Sequence, residues 1–297
     1  MQAKNTEQVH QEPDATAVLS AIGQARIAPY RTYFNCKNDI ETLGVYFWGQ
    51  ALAGAFQPPL GMYEVVLRNA VHRAASRFAS KGVSESFAWY DYTENWALPI
   101  RGKTRDKVTE VLYNTFSAPP MRLAPQPTPD AVVASLSFGF WPGFLEGLSM
   151  RERPRILTDT FAYHPKSKLK HWSDAQNVVE LISILKRLQT VRNAVAHLEP
   201  IWKPHRLKGT EKHWSHSVVS LRESLDQMIE VMAWCCPASA AAAHHSYARR
   251  IFRNICSTDA VKAFMDDPFQ AGRMQPFVEN VQAQLAKTAV PVVAPTI

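Results

Sequence analysis

The chain has 297 residues, of which 46% are hydrophobic and 20% charged; this is a globular composition, long enough to bury a sizeable core. No apolar run approaches the roughly 18 residues that a membrane-spanning helix needs, and the polar start MQAKNTEQVHQEPDAT holds no apolar signal core, so a cytoplasmic chain with no membrane partner is expected. The formal net charge of +7 suits a polyanionic partner without identifying one, and the cysteines Cys36, Cys235, Cys236 and Cys256 lack zinc-ligand spacing and read as small buried hydrophobes in a reducing compartment.

The spacing of apolar residues predicts an all-α protein, because strand-like alternation is scarce and Ala and Leu outweigh β-branched runs. Residues 1–15 read as a disordered tail and 16–118 as an N-terminal helical part. Within it, IETLGVYFWGQALAGAF (40–56) is a helix ending before Pro58-Pro59. GMYEVVLRNAVHRAASRFAS is the next helix, with Tyr63, Leu67, Ala70, Val71, Ala74 and Phe78 at helical spacing. A turn-rich aromatic segment, FAWYDYTENWALPI, precedes a further helix, KTRDKVTEVLYNTFSA. Five prolines between 119 and 129 mark a linker between two subdomains or a long loop within one.

Residues 130–287 form the second helical part, and 288–297 a Pro-punctuated tail. AVVASLSFGFWPGFLEGLS reads as a helix interrupted at Gly139 and Pro142. Ser173 is placed to cap the longest periodic stretch, whose stripe is Val178, Leu181, Ile182, Leu185, Leu188, Val191 and Val195. Helices are then expected near 215–234, 238–256 and 274–287. His244-His245 and Cys235-Cys236 read as parts of helices, and neither a metal site nor a cofactor is expected.

The chemistry-bearing phrase is TVRNAVAHLEP (190–200), at the end of the long stripe. At about 100° per residue Asn193 and His197 share a helix face, and Arg192 lies about 140° from His197. A cationic last turn suits the helix dipole, which is the structural reading of these residues. The phrase runs directly into IWKPHRLKGTEKHWSH. There Lys203, His205, Arg206, Lys208 and Lys212 lie close to Trp202 and Trp214. Cations for phosphates beside rings for bases suit single-stranded nucleic acid, and a solvated basic loop is the alternative. Earlier, Glu64, Arg68 and His72 fall at i, i+4 and i+8 on one helix. Glu64 and Arg68 are oriented for an intrahelical pair. In a functional reading, Arg68 or His72 enters a cleft beside Arg192.

RNAVAH resembles the Arg-Asn-x-x-Ala-His motif of the HEPN superfamily, in particular its Abi-like (abortive-infection, AbiD/AbiF-type) bacterial members. SAIGQARIAPY, YEVVLRNAV and LSFGFWPGFLEG resemble further phrases of that family in the same order. The chain departs from the pattern after His197, where Leu198, Glu199 and Pro200 lower the local positive charge. The resemblance implies a HEPN-like helical bundle with additional N-terminal helices, often dimeric. It implies a metal-independent endoribonuclease of phage defence or toxin type, with RNA as substrate and an antitoxin or phage trigger as partner. Arg192, Asn193 and His197 would be its catalytic set, and Glu64 and Arg68 its supporting residues. The alternative is a non-catalytic helical module that binds RNA or protein. Intact Arg192, Asn193 and His197 favour the nuclease; the altered residues after His197 favour the module.

Overall fold

A computed structural model describes residues 13–269. Along the chain the elements are α1 (Ala15–Ile22), α2 (Gln24–Phe34), α3 (Asp39–Ala79), α4 (Lys103–Leu112), β1 (Tyr113–Asn114) and β2 (Met121–Arg122). Then follow α5 (Pro129–Ser135), α6 (Phe140–Gly147), α7 (Arg153–Thr160), α8 (Leu169–Ser173) and α9 (Ala175–Ala196). The series ends with α10 (Trp214–Cys235), α11 (Pro237–His245), α12 (Tyr247–Ile255) and α13 (Thr258–Asp266). Among the described residues the protein is thus mostly helical, its one sheet being the antiparallel pair β1–β2. None of the described helices is long and apolar enough to cross a membrane. Among the described residues the packing gives two compact units, one of residues 13–48 with 259–269 and one of residues 49–258. The Pro-rich segment 119–129 lies inside the second.

In the first unit, Asp14 caps α1 by accepting the N–H groups of Thr16 (2.9 Å) and Ala17 (3.3 Å). Ala15, Leu19, Ile27 and Leu43 form its core, with Val18, Ile22, Tyr46 and Phe47 packed against them. Gly44 is required here: a Cβ on it would lie 1.9 Å from the Phe264 carbonyl oxygen of α13, so the two helix backbones touch directly.

In the second unit, the stripe foreseen on α9 is buried in full, from Val178 through Leu185 and Leu188 to Val195. It packs with α6, whose Phe140, Trp141, Phe144 and Leu145 are buried, and with α8. Trp89 joins this layer, its ring centroid 4.4 Å from that of Phe144. α10 adds Leu221, Leu225, Met228 and Met232.

Several element boundaries differ from those expected. α3 runs as one helix through Pro58-Pro59. An interior proline costs about 3 kcal/mol through its lost N–H and its ring clash; burial of Leu52, Phe56, Leu60, Tyr63 and Leu67 along the helix offsets that. Ser173 ends α8, and Asp174 caps α9 instead, its Oδ1 accepting the Gln176 N–H at 2.8 Å. α4 stops at Leu112, because Asn114 captures the following backbone in a turn: its Oδ1 accepts the Phe116 N–H at 3.1 Å and its carbonyl accepts the Ser117 hydroxyl at 2.8 Å. The stretch 238–256 breaks at Ser246, whose hydroxyl oxygen accepts the Arg249 N–H at 3.2 Å and so starts α12. α13 was not foreseen. The helix expected near 274–287, the tail 288–297 and most of the tail 1–15 lie outside the described residues, although α1 already begins at Ala15.

Candidate functional site

The site is built where α9 meets the middle of α3. Val191 and Val195 point the last turns of α9 into the core, which leaves Arg192 and Asn193 half-buried at the margin of the stripe. Arg192 reaches across to Glu64, 128 residues earlier in the chain: Nε donates to Oε2 at 3.1 Å and Nη2 to Oε1 at 3.2 Å. This two-bond fork fixes the guanidinium plane. An arginine has five N–H donors, so three remain for another acceptor, and no second protein acceptor takes them among the described residues. The side chains of the pair are 27% and 23% exposed, so the free edge of the fork is reachable from solvent.

Glu64 therefore pairs with Arg192 and not with Arg68, as the i, i+4 spacing had suggested. The Arg68 Nε donates instead to the neighbouring Asn69 Oδ1 at 3.2 Å. The reason is tertiary: α9 brings a planar fork to Glu64, whereas an i, i+4 partner on the helix surface contributes only a few tenths of a kcal/mol. A third segment closes on the same place. Tyr63 lays its ring 5.5 Å from that of Phe138, and a Cβ on Gly139 would lie 2.6 Å from Nε2 of Gln189 on α9. The phrases around Tyr63-Glu64, Phe138-Gly139 and Arg192, far apart in sequence, are contiguous in space.

His197 stands just past the end of α9 as its C-cap, with φ −96° and ψ 13°, and it is exposed. Its backbone N–H binds the Asn193 carbonyl at 2.9 Å. The side chains of His197 and Asn193 make no hydrogen bond to protein among the described residues. Asn193 therefore touches His197 through the backbone, and its amide does not join the Arg–His pair in this arrangement. The helix closes with two reversed bonds, Glu199 N–H to Ala194 O at 2.7 Å and Leu198 N–H to Val195 O at 3.1 Å. This closure puts Leu198 at φ +54°, a left-handed conformation normally left to glycine or asparagine, with 67% of the residue exposed.

The basic segment is a folded loop. Ile201, Trp202 and Leu207 are buried in it. Glu211 ties the loop to α10, its Oε1 accepting the Ser220 hydroxyl at 2.6 Å and the Lys208 N–H at 3.2 Å. Burial would raise the Glu211 carboxyl, but these hydrogen bonds hold it below the usual range. Trp202, expected to stack on a base, is 1% exposed and belongs to the core; its ring is unavailable to a ligand. Arg206 is mostly buried against Glu199, and Lys208 forms an ion pair with Glu223 at 2.6 Å. His205 and Lys212 are exposed, and Lys203 is half-buried. His72 is buried on α3, where its Nδ1 accepts the Trp89 indole N–H at 2.9 Å and its Nε2 lies 3.3 Å from Asp130.

Comparison with protein-family models, with characterised proteins and with solved structures returns no match for this chain.

Proposed function

We propose that this chain is an RNA-cleaving enzyme of the HEPN type, in a HEPN-like helical bundle, with Arg192 and His197 as its working pair. The observation that carries the reading is the state of those two side chains. Glu64 holds the Arg192 guanidinium in a fixed plane with three donors uncommitted. His197 follows five residues later, exposed and without a side-chain partner among the described residues. A charge-assisted fork suits the non-bridging oxygens of a phosphodiester, and an accessible imidazole suits proton transfer near neutral pH. RNA supplies its own nucleophile. In the reading, the 2′-oxygen bonds to the adjacent phosphorus, its proton leaves to a base, and the 5′-oxygen departs with a proton. The products are a 2′,3′-cyclic phosphate and a 5′-hydroxyl end. His197 moves protons, Arg192 bears the charge on the crowded phosphate, and Glu64 positions Arg192.

Helical spacing sets the two residues about 140° apart, which is wide for one phosphate. A homodimer that sets Arg192 of one chain near His197 of its copy closes that gap, and a two-fold contact is the commonest symmetric assembly. Phage defence or a toxin role, with an antitoxin or phage product as regulator, is the setting that the HEPN resemblance suggests.

The experiment is cleavage of cellular and synthetic RNA by the purified chain. His197→Ala is expected to slow it by about 10²–10⁴-fold, and Arg192→Ala to abolish it, with RNA binding retained. Activity persists in chelator, and a 2′-deoxy substitution at the cut position blocks it. If both variants cut at the wild-type rate, the site is an ordinary helix end. If RNA binds but is never cut, the second reading stands: a helical RNA-binding module. The ion pair of Glu199 with Arg206 favours that reading, because it neutralises charge directly after the motif histidine.

A further inference from the structure

The unit 49–258 has a cleft of about 730 Å³ at the far end of α3. Arg77, which lines it, lies roughly 20 Å along the helix axis from Glu64 at 1.5 Å per residue. The cleft combines a half-exposed indole with cations. Trp96 is 47% exposed, an unusual place for so large an apolar ring. Its loop is nonetheless fixed. Trp89, Tyr90 and Leu98 are buried, Leu98 N–H binds the Trp89 carbonyl at 2.7 Å, and the Phe87 ring backs the indole with centroids 5.9 Å apart. The indole thus stands on an anchored loop with one ring packed against it.

Around it stand Arg77, Lys81, Arg151 and Arg155. Arg77 is held by Glu85 and by Asp159, the latter at 2.8 Å. Glu152, also in the lining, accepts the Ser149 N–H at 3.1 Å. Lys81, Arg151 and Arg155 have no ion-pair partner among the described residues, and all three are exposed. Lys81 is placed by strain. It caps the end of α3 at φ +56°, next to a Gly82 whose N–H binds the Arg77 carbonyl at 2.7 Å. A glycine would take that conformation without cost. Left-handed non-glycine residues tend to mark sites where function outweighs stability.

We propose that this cleft binds a nucleotide unit, with the base stacked on Trp96 and the phosphate held by Lys81, Arg151 and Arg155. A flat ring answers the indole, a compact dianion answers the three uncommitted cations, and the volume falls within the usual range for small-ligand sites. The unit comes either as a free nucleoside 5′-phosphate or as the phosphorylated end of an RNA strand. Neither Arg192 nor His197 takes part, so the proposal is independent of the cleavage reading.

The test is calorimetric titration of the full chain with GMP, AMP, guanosine and inorganic phosphate, and with short single-stranded RNA bearing a 5′-phosphate or a 5′-hydroxyl. GMP or AMP is expected to bind about 10-fold or more tightly than guanosine or phosphate alone if the free nucleotide is the ligand. Binding of 5′-phosphorylated RNA only assigns the strand end. Trp96→Ala is expected to weaken binding by about 5-fold or more, the lower end of what one stacked base contributes. Arg151→Glu with Arg155→Glu weakens it further. Lys81→Gly separates binding from folding: affinity falls while the melting temperature rises. The proposal is overturned if none of these ligands binds, if Trp96→Ala binds as the wild type does, or if inorganic phosphate binds as tightly as GMP.

Discussion

At the scale of single residues, His72 has a consequence that can be measured. Burial, foremost, pushes its imidazole below the ordinary 6.5; Asp130 opposes this, and Arg73 and Arg68 add to it. The neutral ring accepts the Trp89 indole N–H at Nδ1, so a proton there breaks the bond. The sign follows. The unfolded chain takes up a proton near 6.5 and the folded chain only at lower pH, so stability is complete above that value and is lost as pH falls through the depressed folded pKa. His72→Gln, which cannot titrate, is expected to reduce the loss of melting temperature between about pH 7.5 and about pH 5.5; equal losses in variant and wild type would assign the effect to other histidines. Leu198 gives a second residue-scale prediction. Its left-handed backbone costs about 1–2 kcal/mol, and the residue is 67% exposed, so truncation forfeits little burial. Leu198→Gly should raise stability by about 1 kcal/mol in denaturant unfolding. A lower stability would mean that the Leu198 side chain makes a contact worth more than the backbone strain.

At the scale of elements, the outcome depended on whether the deciding partner was local. The stripe of α9 was legible because its period is written along one helix, and its burial is complete. Its start was misplaced by one residue because Ser173 and Asp174 are both capping types, and only the accepted Gln176 N–H decides between them. Pro58-Pro59 reads as a break because intrinsic preference says so, while burial on both sides of the pair keeps α3 continuous. The Glu64–Arg192 fork was illegible because sequence offers Arg68 as the near partner, whereas the fork spans 128 residues. Composition cannot tell a buried indole from an exposed one, so the sequence offers Trp202 as a ligand platform where the fold buries it. α13 was missed for a related reason: it is short and docks by its backbone on Gly44, with no long stripe to announce it. That docking is testable. A methyl group on Gly44 meets backbone at 1.9 Å, which no side-chain rotation relieves. Gly44→Ala is expected to destabilise the packing of α13 on α3 by about 1–3 kcal/mol. Gly54, where an added Cβ meets nothing within 4 Å, serves as the control on the same helix. Equal effects at both positions would show that helix propensity and not close packing sets the result.

At the scale of the whole molecule, the question is where the +7 charge can act. Part of the basic character of the loop after α9 is neutralised internally: Arg206 by Glu199 and Lys208 by Glu223. The full set of lysines and arginines in the loop therefore overstates its attraction for a polyanion. Lys203 and Lys212 have no ion-pair partner among the described residues, and they are the cations that a strand crossing this loop would meet. Each phosphate neutralised on a single strand adds about 0.7 to the steepness with which affinity falls with salt on logarithmic axes. If the loop carries the proposed RNA contacts, replacing both lysines with glutamine weakens RNA binding across sequences and flattens that slope by about 1.4. Arg206→Gln behaves differently. Its side chain is only 15% exposed, so truncation empties buried space beside Glu199 and lowers the melting temperature, while the slope changes little because this cation is already paired. Binding measured from low to moderate salt, with melting temperatures in parallel, separates the two effects. An unchanged slope in the double lysine variant would place the RNA path off this loop, with the exposed cations Arg151 and Arg155 of the α3 cleft as the next candidates.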